Sequence, residues 1–183
     1  MQTLKHLLVS RSVILGEITL ASGLRSDFYV DARRTTMSAA GQEAMGRVGC
    51  GFLKSLSEPA ELVGGLTMGA DPIAYAIAHR CALEGLAVDA FSVRKSVKAH
   101  GTHRRVEGPV RKGMRALVVE DCVTTGGSAL SAVRALREFG ITVSDVFALV
   151  DRSEGRGRER LRQERLSLTS LFTGPDLADA ARG

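Results

Sequence analysis

The chain contains no tryptophan, and aromatic residues make up only 4% of it. Proteins that hold single-stranded nucleic acid stack bases on aromatic side chains, so the composition argues against that class. Cysteine is equally sparse. Cys50, Cys81 and Cys122 are odd in number, far apart in sequence and form no CxxC pair, which indicates neither a zinc framework nor a disulfide scaffold. No apolar run approaches the roughly 18–20 residues that span a bilayer, so no membrane partner is expected. The first stretch, MQTLKHLLVSRSVILGE, is broken by Lys5, His6 and Arg11 and lacks the apolar core of a signal peptide. The expected location is therefore cytoplasmic. Internal repeats, low-complexity tracts and linkers are also missing.

What is present suits one globular domain covering residues 1–183, with 44% hydrophobic and 25% charged residues. The net charge of +5 fits an anionic partner without separating small phosphates from nucleic acid. Its distribution says more, because Arg94 to Gly113 holds seven Lys or Arg and a single acid, Glu107.

Periodicity divides the chain into alternating units. Leu4, Leu7 and Leu8 have helical spacing within Thr3–Ser12. Between Gly16 and Arg34, Ile18/Leu20 and Phe28/Val30 alternate with polar residues, with Ser22-Gly23 and Ser26-Asp27 as turn material, which predicts a hairpin. From Ser38 to Leu56 the residues Met45, Val48, Phe52, Leu53 and Leu56 share one helical face. Strands are expected at Leu62–Gly65, Val88–Val93, Arg115–Asp121, Val143–Val150 and Leu166–Leu171. Helices are expected from Pro72 to Leu83, over Ser128–Phe139 and over Pro175–Ala181. Repeated strand-then-helix units imply an α/β fold with a mostly parallel sheet flanked by helices. Ligands in such sheets sit beyond the carboxyl ends of the strands.

One such end stands out. Ala116–Ser128 reads ALVVEDCVTTGGS. The apolar run predicts a buried strand, and it delivers Glu120 and Asp121 to the strand end. Gly126 and Gly127 permit positive φ, which turns backbone N–H groups toward one point. Ser128 can cap the next helix, whose N-terminus favours anions. This composes a phosphate cradle beside acids suited to a ribose diol or a magnesium-bound substrate. It is not a Walker A loop, because Ser128 rather than lysine follows Gly127. Cys122 can be an oxidation-sensitive thiol or a small residue filling a tight turn.

The basic segment is the second constellation. Arg94–Gly108 reads RKSVKAHGTHRRVEG, and long loops inside compact domains are often active-site lids. Arg94 offers a planar fork, Lys95 and Lys98 offer point charges, and His100 can carry a proton. Gly101 and Gly108 are candidate hinges.

EDCVTTGGS resembles the phosphoribosyl diphosphate (PRPP) signature of type I phosphoribosyltransferases. RKSVKAHG resembles the lid of the orotate phosphoribosyltransferases, as do GEITLASGLRSDFYVDAR, GGLTMGADPIA and LVDRSEG. The resemblance implies the type I fold, with residues 1–36 and the C-terminal end forming a small hood and the basic loop a mobile lid. It implies that Arg94, Lys95, Lys98 and His100 contact the diphosphate of PRPP, with Lys98 and His100 acting in catalysis. Glu120 and Asp121 would face the ribose, also in catalytic roles, and the stretch Cys122, Val123, Thr124, Thr125, Gly126, Gly127 and Ser128 would hold the 5′-phosphate end. Thr124, Arg152, Tyr29 and Val30 would touch orotate, since a guanidinium pairs bidentately with a carboxylate. The resemblance further implies Mg2+ held mainly by PRPP, with no direct protein ligand set, and a homodimer whose lid reaches the neighbouring site. Two lysines of some family members are replaced here by Ala21 and by Gly69.

The implied reaction joins orotate to the ribose 5-phosphate of PRPP and releases diphosphate, a step of pyrimidine biosynthesis. Two alternatives remain at this point: another base as acceptor, or a PRPP-sensing regulator that binds nucleic acid. The arginines at 152, 156, 158, 160, 162 and 165 are interleaved with Glu154, Glu159 and Glu164, which suits a solvated helix better than a phosphate stripe. If Lys98 stabilises the leaving diphosphate, Lys98→Ala lowers kcat by about 10²-fold or more in a steady-state assay. A near-wild-type kcat would exclude that role.

Overall fold

In the computed structural model, residues 1–19, 23, 25–96 and 105–183 are described. The amino-terminal part comprises α1 (Gln2–Ser12), the strands β1 (Val13–Thr19) and β2 (Arg25–Val30), and the short α2 (Arg33–Thr36). β1 and β2 pair antiparallel in register Val13↔Val30, with an irregularity between Leu15 and Ile18. The expected hairpin is therefore present, but Ser26 and Asp27 lie inside β2 rather than in a turn. Pairing with β1 overrides the local turn preference of those residues.

The remainder alternates strand and helix: α3 (Ala39–Lys54), β3 (Leu62–Leu66), α4 (Asp71–Leu83), β4 (Asp89–Val93), β5 (Val106–Glu107), β6 (Arg115–Val123), α5 (Gly127–Phe139), β7 (Thr142–Asp151), α6 (Arg156–Gln163), β8 (Ser167–Thr173) and α7 (Gly174–Arg182). The sheet order is β5-β4-β3-β6-β7-β8. All of its pairs are parallel except β4 with β5. The chain leaves β3 for β4 on one side and β6 for β7 on the other. The carboxyl ends of β3 and β6 thus flank a switch point, where open α/β sheets form a ligand crevice.

Strand alternation builds two apolar layers. Leu117 and Val119 of β6, with Phe147 and Leu149 of β7, face a core shared with α1, α3 and α4. Ala116, Val118, Val146 and Ala148 face the opposite core, shared with α5 and Leu161 of α6. Burial on both faces explains why β6 and β7 read as near-continuous hydrophobic runs. In the first layer the rings of Phe52 and Phe147 stack with centroids 4.6 Å apart. Cys50 and Cys81, far apart in sequence, meet there as buried free thiols with Sγ atoms 3.0 Å apart. Burial pushes the Cys81 thiol up to about 12, so it packs as a neutral group.

Two elements were not expected. α2 follows β2 directly and is locked in place by Thr35, which is fully buried. Its Oγ1 donates to the Leu7 carbonyl at 3.0 Å and accepts from Ser12 Oγ at 2.7 Å. β5 brings the basic segment back onto β4, and the Arg94 N–H donates to the Arg105 carbonyl at 2.8 Å. Both ends of the loop are therefore pinned to the sheet edge.

Truncating Phe147 removes a fully buried ring and its stacked contact. Phe147→Ala is expected to destabilise the fold by about 3–5 kcal/mol, read as a lower urea midpoint at unchanged slope.

Candidate functional site

β6 carries Glu120 and Asp121 to the switch point because its preceding residues are held between β3 and β7. There they line a crevice of about 380 Å³ together with Tyr29, Val30, Asp31, Ala32, Arg33, Leu66, Thr67, Met68, Gly69, Lys95, Cys122, Thr124, Ser128 and Arg152. A smaller cleft opens from it between Glu120 and the loop Cys122–Ser128.

The loop is shaped by Gly126, whose φ of 73° lies in the left-handed region that favours glycine. This residue is the N-cap of α5. Two expectations change here. Only Gly126 adopts positive φ, Gly127 being the first helical residue, and Ser128 does not cap the helix. The left-handed turn at Gly126 caps the helix two residues before the expected cap, which leaves Ser128 in the first turn, lining both the crevice and the cleft. Thr125 is steadied by α6, where Arg160 Nη1 donates to the Thr125 carbonyl at 3.2 Å. A helix N-terminus with turned amides suits an anionic group.

The acids are strongly desolvated. Glu120 is 6% exposed, and its Oε2 has no hydrogen-bond partner among the described residues. Burial, then the neighbouring charge of Asp121, pushes its carboxyl up to about 8. Burial also raises Asp121, opposed by the Cys122 N–H donating to Oδ1 at 2.8 Å and by the nearby Arg33 guanidinium. Such raised carboxyls in a crevice mark a functional-site candidate. Gly69 faces this pair closely. A Cβ there would lie 2.7 Å from the Asp121 carboxylate, so any side chain at position 69 must displace Asp121. The Thr67–Met68 peptide in the same loop is cis. Burial pushes the Cys122 thiol up to about 12, which favours the packed, unreactive reading of that residue.

Arg152 follows β7. Its N–H donates to the Val123 carbonyl at 2.8 Å. Its guanidinium carbon lies 5.4 Å from the Tyr29 ring centroid and 5.9 Å from that of Phe28, within reach of a cation–π attraction. The amino-terminal strands thus form one wall of the crevice against the sheet.

Of the residues singled out from the sequence, Tyr29, Val30, Lys95, Glu120, Asp121, Cys122, Thr124, Ser128 and Arg152 converge on the crevice, and Val123, Thr125, Gly126 and Gly127 join the adjoining cleft. The Val123 side chain packs in the core layer on the α5 side. Arg94 is not brought in, because its Nε donates to Glu107 Oε1 at 2.9 Å. Lys98, His100 and Ala21 lie outside the described residues. The crevice also contains Asp31 and Arg33, which the sequence reading passed over; the charged run DARR directly after β2 was the available signal.

Fold and crevice together define an α/β protein with an anion-suited helix N-terminus and a desolvated acid pair at a sheet switch point. Comparison with known proteins agrees. Residues 60–167 match the phosphoribosyl transferase domain model. The chain is 52% identical to the orotate phosphoribosyltransferase of Streptomyces avermitilis over 79% of each chain. It superposes on orotate phosphoribosyltransferase of Mycobacterium tuberculosis in complex with Fe(III) dicitrate with a TM-score of 0.83 and 43% identity, covering 95% of this chain and 96% of that one. Against the same enzyme in complex with PRPP the TM-score is 0.79, at 38% identity and 96% coverage of both. The chain belongs to the phosphoribosyltransferase family, alongside the orotate phosphoribosyltransferases.

The raised carboxyl of Glu120 has a measurable consequence. The folded chain keeps this proton in a range where the unfolded chain has released it, so this group's contribution to stability is lost as pH rises from about 4.5 to about 8. The expected slope is about 1.4 kcal/mol per pH unit within that window. Glu120→Gln removes it, so the difference in stability between variant and wild type, measured by chemical denaturation without ligand, grows in the variant's favour between pH 5 and pH 8. A pH-independent difference would refute the assignment.

Proposed function

We propose that this chain transfers ribose 5-phosphate from PRPP to orotate, giving orotidine 5′-monophosphate and diphosphate, a step of pyrimidine biosynthesis. The observation that carries this reading is the convergence, in one crevice and its adjoining cleft, of a desolvated acid pair, the Thr124–Ser128 loop at the start of α5, and Arg152. Each recognises a different part of the reactants. Backbone amides at the helix N-terminus receive the 5′-phosphate. Glu120 and Asp121 receive the ribose hydroxyls. Arg152, held against Tyr29 and Phe28, pairs with the carboxylate of orotate, whose ring lies along Tyr29 and Val30.

In the reaction the bond from ribose C1 to diphosphate breaks and the deprotonated pyrimidine nitrogen attacks from the opposite face. Positive charge develops on the ribose while negative charge grows on the leaving group. The acids orient the ribose and favour the cationic ring. Lys95 meets the diphosphate in this crevice, and in the proposed homodimer Lys98 and His100 of the same segment meet the diphosphate of the neighbouring site. Closure of that loop excludes water, which strengthens these charge interactions.

The crevice also suits magnesium. Glu120 and Asp121 are hard oxygen donors, and Glu120 Oε2 is buried without a partner among the described residues. The ion would be held mainly by PRPP oxygens, with Glu120 and Asp121 reached through the ribose hydroxyls, and when bound it supplies neutralisation of the diphosphate charge. We further propose a cytoplasmic, single-domain homodimer. Exposed Met68, Tyr75 and Leu83, on α4 and the loop before it, support association between copies, and no described helix is long and apolar enough to cross a membrane.

The deciding assay follows loss of orotate absorbance with PRPP and magnesium, alongside uracil, adenine and hypoxanthine. Turnover is expected with orotate alone. Arg152→Gln is expected to raise KM for orotate about 10–100-fold while leaving KM for PRPP within about two-fold. No orotate turnover by the wild type would overturn the proposal.

A further inference from the structure

We propose that Arg33 is a binding residue for the diphosphate of PRPP, taking the place of the cation that this chain lacks at Gly69. This inference rests on the reading of the crevice as a PRPP site.

Three observations carry it. First, α2 sets Arg33 in the wall of the crevice with Thr67, Met68 and Gly69, near Lys95 and both acids. The helix is fixed from beneath by the buried hydroxyl of Thr35, held between Leu7 and Ser12. Second, the guanidinium is aimed but not consumed. Its Nε donates to Asp31 Oδ1 at 3.1 Å, and among the described residues neither Nη atom has a hydrogen-bond partner. Its side chain is 48% exposed. An arginine steered through Nε presents its remaining N–H donors as a fork suited to phosphate oxygens.

Third, the crevice needs it. A Cβ at Gly69 would lie 2.7 Å from the Asp121 carboxylate, and this position of the loop supplies backbone and no cation. PRPP would bring several negative charges to a crevice that already holds two acids. The cations lining it are Arg33, Lys95 and Arg152, and Arg152 is engaged against the aromatic rings of the opposite wall. Arg33 already favours the charged form of Asp121, so its field reaches the point where ribose and diphosphate would meet. Gly69 thus brings no cation to the site, while Arg33, on a different element, stands in the same crevice wall.

The test uses the full chain with magnesium. PRPP, inorganic diphosphate and ribose 5-phosphate are titrated calorimetrically into wild type, Arg33→Ala and Arg33→Lys. Arg33→Ala is expected to weaken PRPP and diphosphate binding about 10–100-fold while ribose 5-phosphate stays within about two-fold. Arg33→Lys should recover part of the loss, since it restores the charge without the fork. Because Arg33 is half exposed, melting temperatures should match. Unchanged diphosphate affinity in Arg33→Ala overturns the inference, as does equal weakening of diphosphate and ribose 5-phosphate. Wild type that binds PRPP but fails to consume orotate would sink the proposed reaction and leave Arg33 to be decided by these titrations.

Discussion

Two carboxylates at the end of a buried strand are the constraint on which the site depends. Removing Glu120 and Asp121 from water disfavours their ionised forms, and little protein surrounds them in compensation. The Cys122 N–H and the field of Arg33 act on Asp121, while Glu120 Oε2 is left without a partner among the described residues. Such a pair is costly to a ligand-free fold and becomes useful once hydroxyls or a cation arrive. The surrounding geometry is consistent with that purpose: a Cβ at position 69 would crowd the Asp121 carboxylate, and Gly69 offers backbone alone.

The sheet order explains how the other parts reach this point. The switch between β3 and β6 leaves their carboxyl ends open to solvent, while every layer beneath is packed on both faces. α5 begins at that rim and presents its amides there. The amino-terminal strands close the crevice from the side through Arg152, which binds the two walls by lying against Tyr29 and Phe28. α6 braces the phosphate loop through Arg160, and Arg158 and Arg162 are likewise occupied, with Asp151 and Glu159. Arg160 and Arg158 thus fasten the helix to its neighbours, while Arg162 pairs with Glu159 on the solvated face that the interleaved charges implied.

The alternation of strands and helices was legible because burial on one or both faces leaves a period in the sequence. Met45 and Leu53 on α3, and Leu130, Val133 and Leu136 on α5, are buried as their spacing required. The misreadings share a cause. Ser26 and Asp27 have turn chemistry but are held in a strand by their partner β1. Four-residue α2 is too short to carry a period, and its stability comes from Thr35 reaching α1. Ser128 has the chemistry of a cap, yet the conformation of Gly126 sets where the helix begins. Cys50 and Cys81 carried no sign of each other.

By itself, the sequence determined the class of fold and the kinds of group the site contains, because hydrophobic period and short motifs such as EDCVTTGGS are local properties. Tertiary structure alone decided which of those groups share one crevice. Asp121 meets Gly69 across two strands, Arg152 meets Tyr29 across two sheets, and Arg33 faces the acids from a helix anchored elsewhere. These juxtapositions follow from long-range packing and register, which set distances and desolvation that no stretch of chain encodes alone.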